Sequence, residues 1–504
     1  MEKLKILRDV KIEKIWYQWI GLSTREDGKK IIIKWWVLPG TIVDCKVIRQ
    51  RKDYIEAQVI DIKEMDFDFK PNEDLCSHYF FNKKLQNIDS ERTKFGCWWC
   101  KWQILPYDKQ LELKQEIFFD SFRNIKDVIS NLEIKPVVPS PLTVWYRNKI
   151  EFSFGKFISK KLDEKYHWNW NLWFHKQWEF SKIVDVENCK LISDKANQIF
   201  VYIKNFLKNS WLEVYDQKTQ KWFFRHLMIR QWFNTDQILV ILSVSDAQLG
   251  STQDKLNWEN LKQSLTKNSF LSENIKSFVV SYNNWLADVF KPETINTEIL
   301  RWDWYIFEKL IYWNENPVDI TFKISPFSFF QTNTFGAQKL FTVAQNLLGK
   351  TDWSLLDLYC GSGSIWLSFL KLWLCDQVFG IEIVPDAIQD AFYNAKINWL
   401  VEKSYFTTGK AEKIIFEDDV IRENIDKIKT VVVDPPREWL HKNVIDFLLN
   451  LKKSIDIKLL YISCNPVTMS RDTKLLLEWF NLKNIQTVDM FPHTNHLEVV
   501  GVFS

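Results

Sequence analysis

Glycine is scarce in this chain: 13 residues in 504, about 2.6%, where about 7% is ordinary. Cysteine is sparse as well. Its eight copies are scattered, which excludes a small secreted disulfide scaffold. No apolar run reaches the roughly 18 residues of a membrane-crossing helix. The opening Met1-Glu2-Lys3-Leu4-Lys5 lacks the apolar core of a signal peptide. Net charge is only +3, so the chain as a whole carries no polyanion-binding signature. No internal repeat or low-complexity tract is present. These absences leave a globular, cytoplasmic protein of roughly two to four domains.

Tryptophan is the residue in excess, with 26 copies. The 13 glycines and 26 tryptophans together make 39 of 504 residues, about 7.7%, close to ordinary glycine usage. Several tryptophans also stand where glycine is expected physically. Trp366 follows Cys360-Gly361-Ser362-Gly363 at a helix start that needs close packing. Trp439 lies just past Pro435-Pro436, and Trp98-Trp99 lie between two cysteines. The expectation is that a codon read as glycine in the source stands here as tryptophan. The plain alternative is a genuinely tryptophan-rich protein.

Residues 1–65 read as short strands, at 31–33, 41–47 and 54–62. They are separated by Gly28, by Pro39-Gly40 and by the charged run 49–53. That pattern suggests a small barrel of OB type. It holds fourteen Lys and Arg against ten Asp and Glu, a local +4. A solvated surface and a nucleic-acid-binding module fit that excess equally well. Residues 107–129 have an amphipathic helical pattern. From 137 to 320 strands and helices mix. The strand at 151–154 follows Arg147-Asn148-Lys149, and another carries Arg225, His226 and Arg230. Basic residues on strands beside aromatics suit RNA contact; structural pairing explains them as well. Beyond 321, strands at 354–358, 377–381, 430–433 and 458–462 alternate with helices such as 385–398 and 442–452. This is the mark of a doubly wound parallel sheet.

Four motifs carry chemistry. Asp357-Leu358-Tyr359-Cys360-Gly361-Ser362-Gly363 joins a strand to a helix, and Glu382 closes the next strand. Such glycines admit a nucleotide-like ligand, and such a carboxylate bonds ribose hydroxyls. An Asp at the strand end favours S-adenosylmethionine (SAM) over a dinucleotide. Asp434-Pro435-Pro436-Arg437 is a rigid loop at another strand end, either a planar-substrate platform or a plain turn. Cys464 lies at the end of the strand Leu459-Leu460-Tyr461-Ile462 and precedes the turn pair Asn465-Pro466, a place for a nucleophile or for an inert thiol. Cys76, Cys97, Cys100 and Cys189 form a possible set for zinc or an iron–sulfur cluster, or a redox pair with unrelated thiols. Cys45, Cys360 and Cys375 read as structural. Glu498 opens the last strand, where it is either solvated surface or, beside an activated thiol, a general base.

Together these residues resemble the RNA 5-methyluridine (uracil-C5) methyltransferases, of the 23S rRNA type. The matching stretches are Tyr146 to Phe152, Ser325-Pro326 through Phe329 to Asn333, Asp357 to Ser364, Asp434 to Arg437, Ser463 to Pro466, and Pro492-His493-Thr494 with His496 and Glu498. The resemblance implies three domains. Residues 1–65 would be a TRAM (OB-like) RNA-binding barrel. Residues 66–105 with 137–320 would be a central α+β iron–sulfur and RNA-binding domain. Residues 106–136 with 321–504 would be a Rossmann-like SAM-dependent methyltransferase domain. It further implies Cys464 as nucleophile and Glu498 as base. Gln331, Tyr359, Glu382 and Asp434 match SAM-contacting positions, and Cys76, Cys97, Cys100 and Cys189 match the ligands of a [4Fe–4S] cluster. The chain departs from the family in the long gap between Cys76 and Cys97. It also carries Trp98, Trp99, Trp173, Trp285, Trp366 and Trp439 where the family has glycine. The implied partner is RNA, 23S rRNA ahead of tRNA, bound by a monomer. Two other readings are a non-catalytic RNA-binding protein on the same scaffold and an amino-group methyltransferase using the Asp-Pro-Pro loop.

Overall fold

The computed structural model describes residues 5–504, apart from 18–19, 35–36, 66–68, 80–96, 98, 157–169, 174, 177–178, 184–185, 211, 215–220, 222, 286–295, 313–316, 351–353 and 437–439. Trp98, Arg437 and Trp439 lie outside the described residues. The chain forms two compact units. The first comprises residues 1–75, 99–140 and 435–504, and the second 76–98 and 141–434. Among the described residues no helix is long and apolar enough to cross a membrane.

The first unit opens with strands β1 (Ile6–Lys11), β2 (Lys14–Trp16), β3 (Ile20–Thr24), β4 (Lys30–Lys34), β5 (Thr41–Gln50) and β6 (Tyr54–Met65). Their order is β1-β5-β6-β4-β3-β2. The two edge strands are consecutive in sequence, joined only by Ile12-Glu13. Ile12 N donates to Thr41 O, and Glu13 N to Leu22 O. The stretch 6–16 therefore bonds to β5 near one end of the sheet and to β3 near the other. Alternation puts Val10, Ile31, Ile33, Val43, Cys45 and Ala57 inside. Burial pushes the Cys45 thiol up to about 12, with Asp44 adding to the shift, which suits an inert core cysteine.

Helix α1 spans Tyr107–Ser121. The single helix expected over 107–129 breaks at Phe122. Phe122 is fully buried and leaves helical geometry at φ −94, ψ 7. A 3-10 turn (Arg123–Ile125) and a short helix (Lys126–Ile129) follow.

The second unit carries β7 (Lys149–Lys156), β8 (Trp170–Trp173), β9 (His175–Lys176), β10 (Glu179–Ile183), β11 (Phe224–Trp232), β12 (Gln237–Val244), β13 (Ser277–Tyr282) and β14 (Asn296–Trp302). Six of them form a sheet in the order β14-β13-β12-β11-β7-β8. A hairpin of β15 (Ile306–Tyr312) and β16 (Val318–Ile324) follows, then helix α2 (Thr334–Leu348). Strands β17 (Ser354–Asp357), β18 (Gln377–Glu382), β19 (Ser404–Thr408) and β20 (Ile428–Val433) lie parallel, ordered β19-β18-β17-β20. Helices α3 (Ser364–Lys371) and α4 (Pro385–Ile397) supply crossovers between them. β17, β18 and β20 are largely buried runs, as strands covered on both faces are, while the edge strand β19 is only part-buried.

The C-terminal part of the first unit adds α5 (Lys442–Ser454), β21 (Lys458–Ser463), α6 (Pro466–Leu476), β22 (Leu482–Val488) and β23 (Glu498–Phe503). β23 lies antiparallel between β21 and β22. Mixed sheet and helices of this kind are the SAM-dependent methyltransferase fold, preceded here by a β-rich N-terminal domain.

Candidate active site

In the second unit, the loop after β17 has the glycines its backbone needs. Gly361 sits at φ 53 and Gly363 at φ 95, conformations that cost a side-chain-bearing residue strain. Asp357 is fully buried. Its Oδ1 accepts from Tyr359 N at 3.2 Å, while Oδ2 is buried without a partner among the described residues. Glu382 ends β18 and reaches across to the same loop. Its Oε2 accepts from Gly361 N and its Oε1 from Val384 N, each at 3.0 Å. Asp434 follows β20 directly. Burial pushes Asp357 up to about 8, and the charges of Asp434 and Glu382 push the same way. Desolvation pushes the half-buried Asp434 up to about 7. Three carboxylates thus crowd one strand edge, an arrangement that a cationic ligand would relieve.

A second loop is pinned beside the glycines. Ser362 Oγ donates to Phe329 O at 3.3 Å. The segment 325–334 is held from behind by the basic strands. Arg230, fully buried, donates to Ser325 O at 3.0 Å and Ser328 O at 2.6 Å. Asn148 Nδ2 donates to Gln331 O at 3.0 Å and Thr334 Oγ1 at 2.9 Å. Gln331 therefore stands on a fixed loop, with Phe329 left 67% exposed. The open choice for Arg147-Asn148-Lys149 and Arg230 falls on the structural side for Asn148 and Arg230, which bond backbone and a hydroxyl inside the unit. No signal local to either residue in sequence could have shown this.

In the first unit, Cys464 follows β21 and is half-buried. The Asn-Pro pair after it starts α6. Asn465 Oδ1 accepts from Val467 N at 3.1 Å and Thr468 N at 3.3 Å, with Pro466 in the first turn. Ser463 Oγ, 3.1 Å from both Asn465 N and Asn465 O, tightens the turn. The thiol thus sits at a helix N-terminus, where an anion is favoured. Cys360 and Cys375 are buried instead, their thiols pushed up by burial, as structural cysteines are. Glu498 opens β23 opposite Val488 and is 5% exposed, so the solvated-surface reading of it does not hold. Sequence reasoning missed what stands near it. Lys114 on α1 is fully buried and pairs with Asp489 at 2.6 Å. The available signal was a lysine where the α1 stripe calls for an apolar residue.

The two ends of the Cys76–Cys97 gap meet in the second unit. Tyr79 N donates to Cys76 O at 2.9 Å, Cys97 N donates to His78 O at 2.6 Å, and Tyr79 pairs with Cys97 as a parallel bridge. Residues 76 and 97 therefore meet at one turn in spite of the insertion. Cys189 is buried, its thiol pushed up to about 12 by burial, with Cys97 and Cys76 adding to the shift. Among the described residues no group of three or more His, Cys, Asp or Glu is placed to hold a metal ion. Cys100 lies in the first unit, its carbonyl accepting from Gln103 N.

The tRNA (uracil-5-)-methyltransferase family model matches residues 303–504. A protein of Bacteroides thetaiotaomicron described as an uncharacterized RNA methyltransferase is 31% identical over 95% of this chain and 98% of its own. A Clostridium tetani protein of the same description is 29% identical over 98% and 96%. The crystal structure of Pyrococcus abyssi tRNA (uracil-54, C5)-methyltransferase with S-adenosyl-L-homocysteine superposes with a TM-score of 0.68 at 23% identity. It covers 99% of this chain and all of that one. The chain is an RNA methyltransferase and belongs to the tRNA (uracil-5-)-methyltransferase family.

Proposed function

We propose that the protein methylates C5 of a uracil in RNA through a transient bond between Cys464 and C6 of the ring. The observation that carries this reading is the half-buried thiol at the end of β21, capped into the start of α6, while Cys360 and Cys375 are buried. C5 of uracil is a weak nucleophile. Attack of the Cys464 thiolate at C6 forms the C–S bond and moves the ring electrons onto C5 and O4 as an enolate. C5 then takes the methyl group. Glu498 removes the C5 proton, and the released electron pair expels the Cys464 thiolate. The uridine must leave its stack to be attacked.

Glu382, Asp434, Gln331 and Tyr359 would hold SAM, whose sulfonium supplies the methyl group. The crowded carboxylates and the orphaned Asp357 Oδ2 support a ligand that carries positive charge. Cys76, Cys97, Cys100 and Cys189 would hold a [4Fe–4S] cluster with a structural task in RNA positioning. The return of residue 97 to the turn that begins at Cys76 supports the pairing of those two within the set.

The barrel of residues 6–65, read as a TRAM domain, and the four cysteines favour 23S rRNA as substrate, handled by a monomer in the cytoplasm. A tRNA substrate is the second reading, favoured by the names of the family model and of the archaeal structure. Methyl transfer from labelled SAM to ribosomal and transfer RNA, with Cys464→Ala as control, is the test. Full activity in Cys464→Ala ends the covalent reading and leaves amino-group methylation in its place.

A further inference from the structure

Helix α1 turns Tyr107, Gln110 and Lys114 to one side, and all three grip one segment of chain. Lys114 Nζ donates to Asp489 Oδ1 at 2.6 Å and to Phe491 O at 3.1 Å. Tyr107 Oη donates to Asp489 Oδ2 at 2.9 Å. Gln110 Oε1 accepts from His493 N at 2.7 Å, and its Nε2 lies 3.1 Å from His493 Nδ1. Trp102 N donates to His493 O at 3.0 Å, and His493 is held at φ 66. Gln110, Lys114 and Asp489 are fully buried.

The gripped residues are the first half of the loop 489–497. That loop closes where Val488 faces Glu498 across β22 and β23. Asp489 therefore adjoins the rung that carries Glu498, and Lys114 holds that rung's neighbour through its ion pair with Asp489. A buried ion pair is weak evidence for stability, since apolar residues of like volume do as well. Its place beside this rung gives it another task.

We propose that this face of α1 is a positioning device for Glu498, with Lys114 its principal positioning residue. The inference rests on Glu498 being the base. The test compares Lys114→Met, Tyr107→Phe and Glu498→Gln for KM, kcat and the fraction of RNA bound covalently to Cys464. Lys114→Met is expected to lower kcat at least about tenfold with KM for RNA nearly unchanged. It is also expected to accumulate adduct, as Glu498→Gln does, because elimination slows and addition does not. If Lys114→Met fails to fold, Tyr107→Phe keeps the ring, loses one bond to Asp489, and is expected to accumulate adduct to a smaller extent. Adduct in Glu498→Gln but in neither α1 variant overturns the inference alone. No adduct in Glu498→Gln overturns the base reading and this inference with it.

A separate observation concerns tryptophan. Six described residues other than glycine have positive φ, and three are Trp145 (54°), Trp373 (58°) and Trp399 (62°). A bulky side chain there is strained. Trp373 follows α3 and Trp399 follows α4. Leu374 N reaches back to Phe369 O, and Leu400 N to Ala395 O, each at 2.9 Å. This is the Schellman ending, whose left-handed residue is usually glycine. The Trp399 ring is 91% exposed. Trp232 and Trp366 err the other way, being buried with indole N–H groups unbonded among the described residues, although a buried indole normally finds a partner.

We infer that the natural chain has glycine at 145, 373 and 399, where its source reads the codon as glycine. Peptides of the protein isolated from its source should carry glycine mass at these positions, and tryptophan mass would overturn the inference. In recombinant protein Trp399→Gly should raise the unfolding temperature and Trp399→Ala should not. A lowered temperature in Trp399→Gly removes the backbone argument.

Discussion

Glu382 Oε2 accepts the Gly361 backbone N–H at 3.0 Å, so the acid that closes one strand fixes the glycine loop that leaves its neighbour. One carboxylate therefore shapes the loop and, in the proposed site, also presents charge to SAM. Glu382→Gln keeps the size but leaves a neutral amide in both roles. Hydrogen bonds to charged groups contribute about 1.5–3 kcal/mol, so affinity for SAM should fall roughly tenfold to a hundredfold, with the RNA affinity unchanged. Calorimetric titration of SAM checks this, and an unchanged affinity would remove Glu382 from the cofactor site.

Cys464 and Glu498 act at different steps in the proposed reaction, so their variants should fail differently. Cys464→Ala should neither methylate nor form adduct. Glu498→Gln should lose about 10²- to 10⁴-fold in kcat, the usual worth of a general base. It should also leave RNA attached to the protein on a denaturing gel. Equal absence of adduct in both variants would contradict the assigned roles.

Sequence reasoning was strongest where a residue's place at the end of its own strand is at issue. The apolar run 459–462 ends at Cys464, and Glu498 opens a strand that runs to Phe503. Aliphatic periodicity alone suffices to place such ends. It failed where a side chain works on a distant partner. Asn148 bonds a carbonyl 183 positions away, and Lys114 a carboxylate 375 positions away. A tertiary polar contact leaves no period in the sequence.

The loop 325–334 depends on donors from other strands. Arg230→Met would strand Ser328 O, and Asn148→Ala would strand Gln331 O. A buried polar group left unpaired costs about 1–3 kcal/mol. Each variant should lose stability in that range and raise KM for SAM, since Gln331 rides on the loop. Denaturant unfolding together with steady-state kinetics separates the two effects. If Asn148→Ala leaves both stability and KM intact, the loop is held by something else.

The proposed cluster predicts bound iron. Protein purified without oxygen should contain iron and acid-labile sulfide in equal amounts, about four of each per chain, with visible absorbance that dithionite bleaches. Cys189→Ala should abolish both. A metal-free protein with full activity would leave the four thiols as ordinary side chains.

The carboxylates of the cofactor edge make stability depend on pH in a stated direction. Asp357 is pushed from 3.8 up to about 8, and Asp434 from 3.8 up to about 7. Between the unfolded and folded values the native chain binds more protons than the unfolded chain, so stability falls as pH rises. The contribution is complete below about pH 4 and is lost by about pH 8. Asp357→Asn is neutral throughout, and its Oδ1 can still accept from Tyr359 N. The unfolding temperature of the ligand-free protein should therefore decline less between about pH 5 and pH 8 in Asp357→Asn than in the parent chain. Saturating SAM should flatten the parent's decline in the same way, because a cation beside the three carboxylates favours their ionised forms. Parallel declines in parent and variant would show that Asp357 ionises freely in the folded protein, and the electrostatic argument for a cationic ligand at this edge would fall with it.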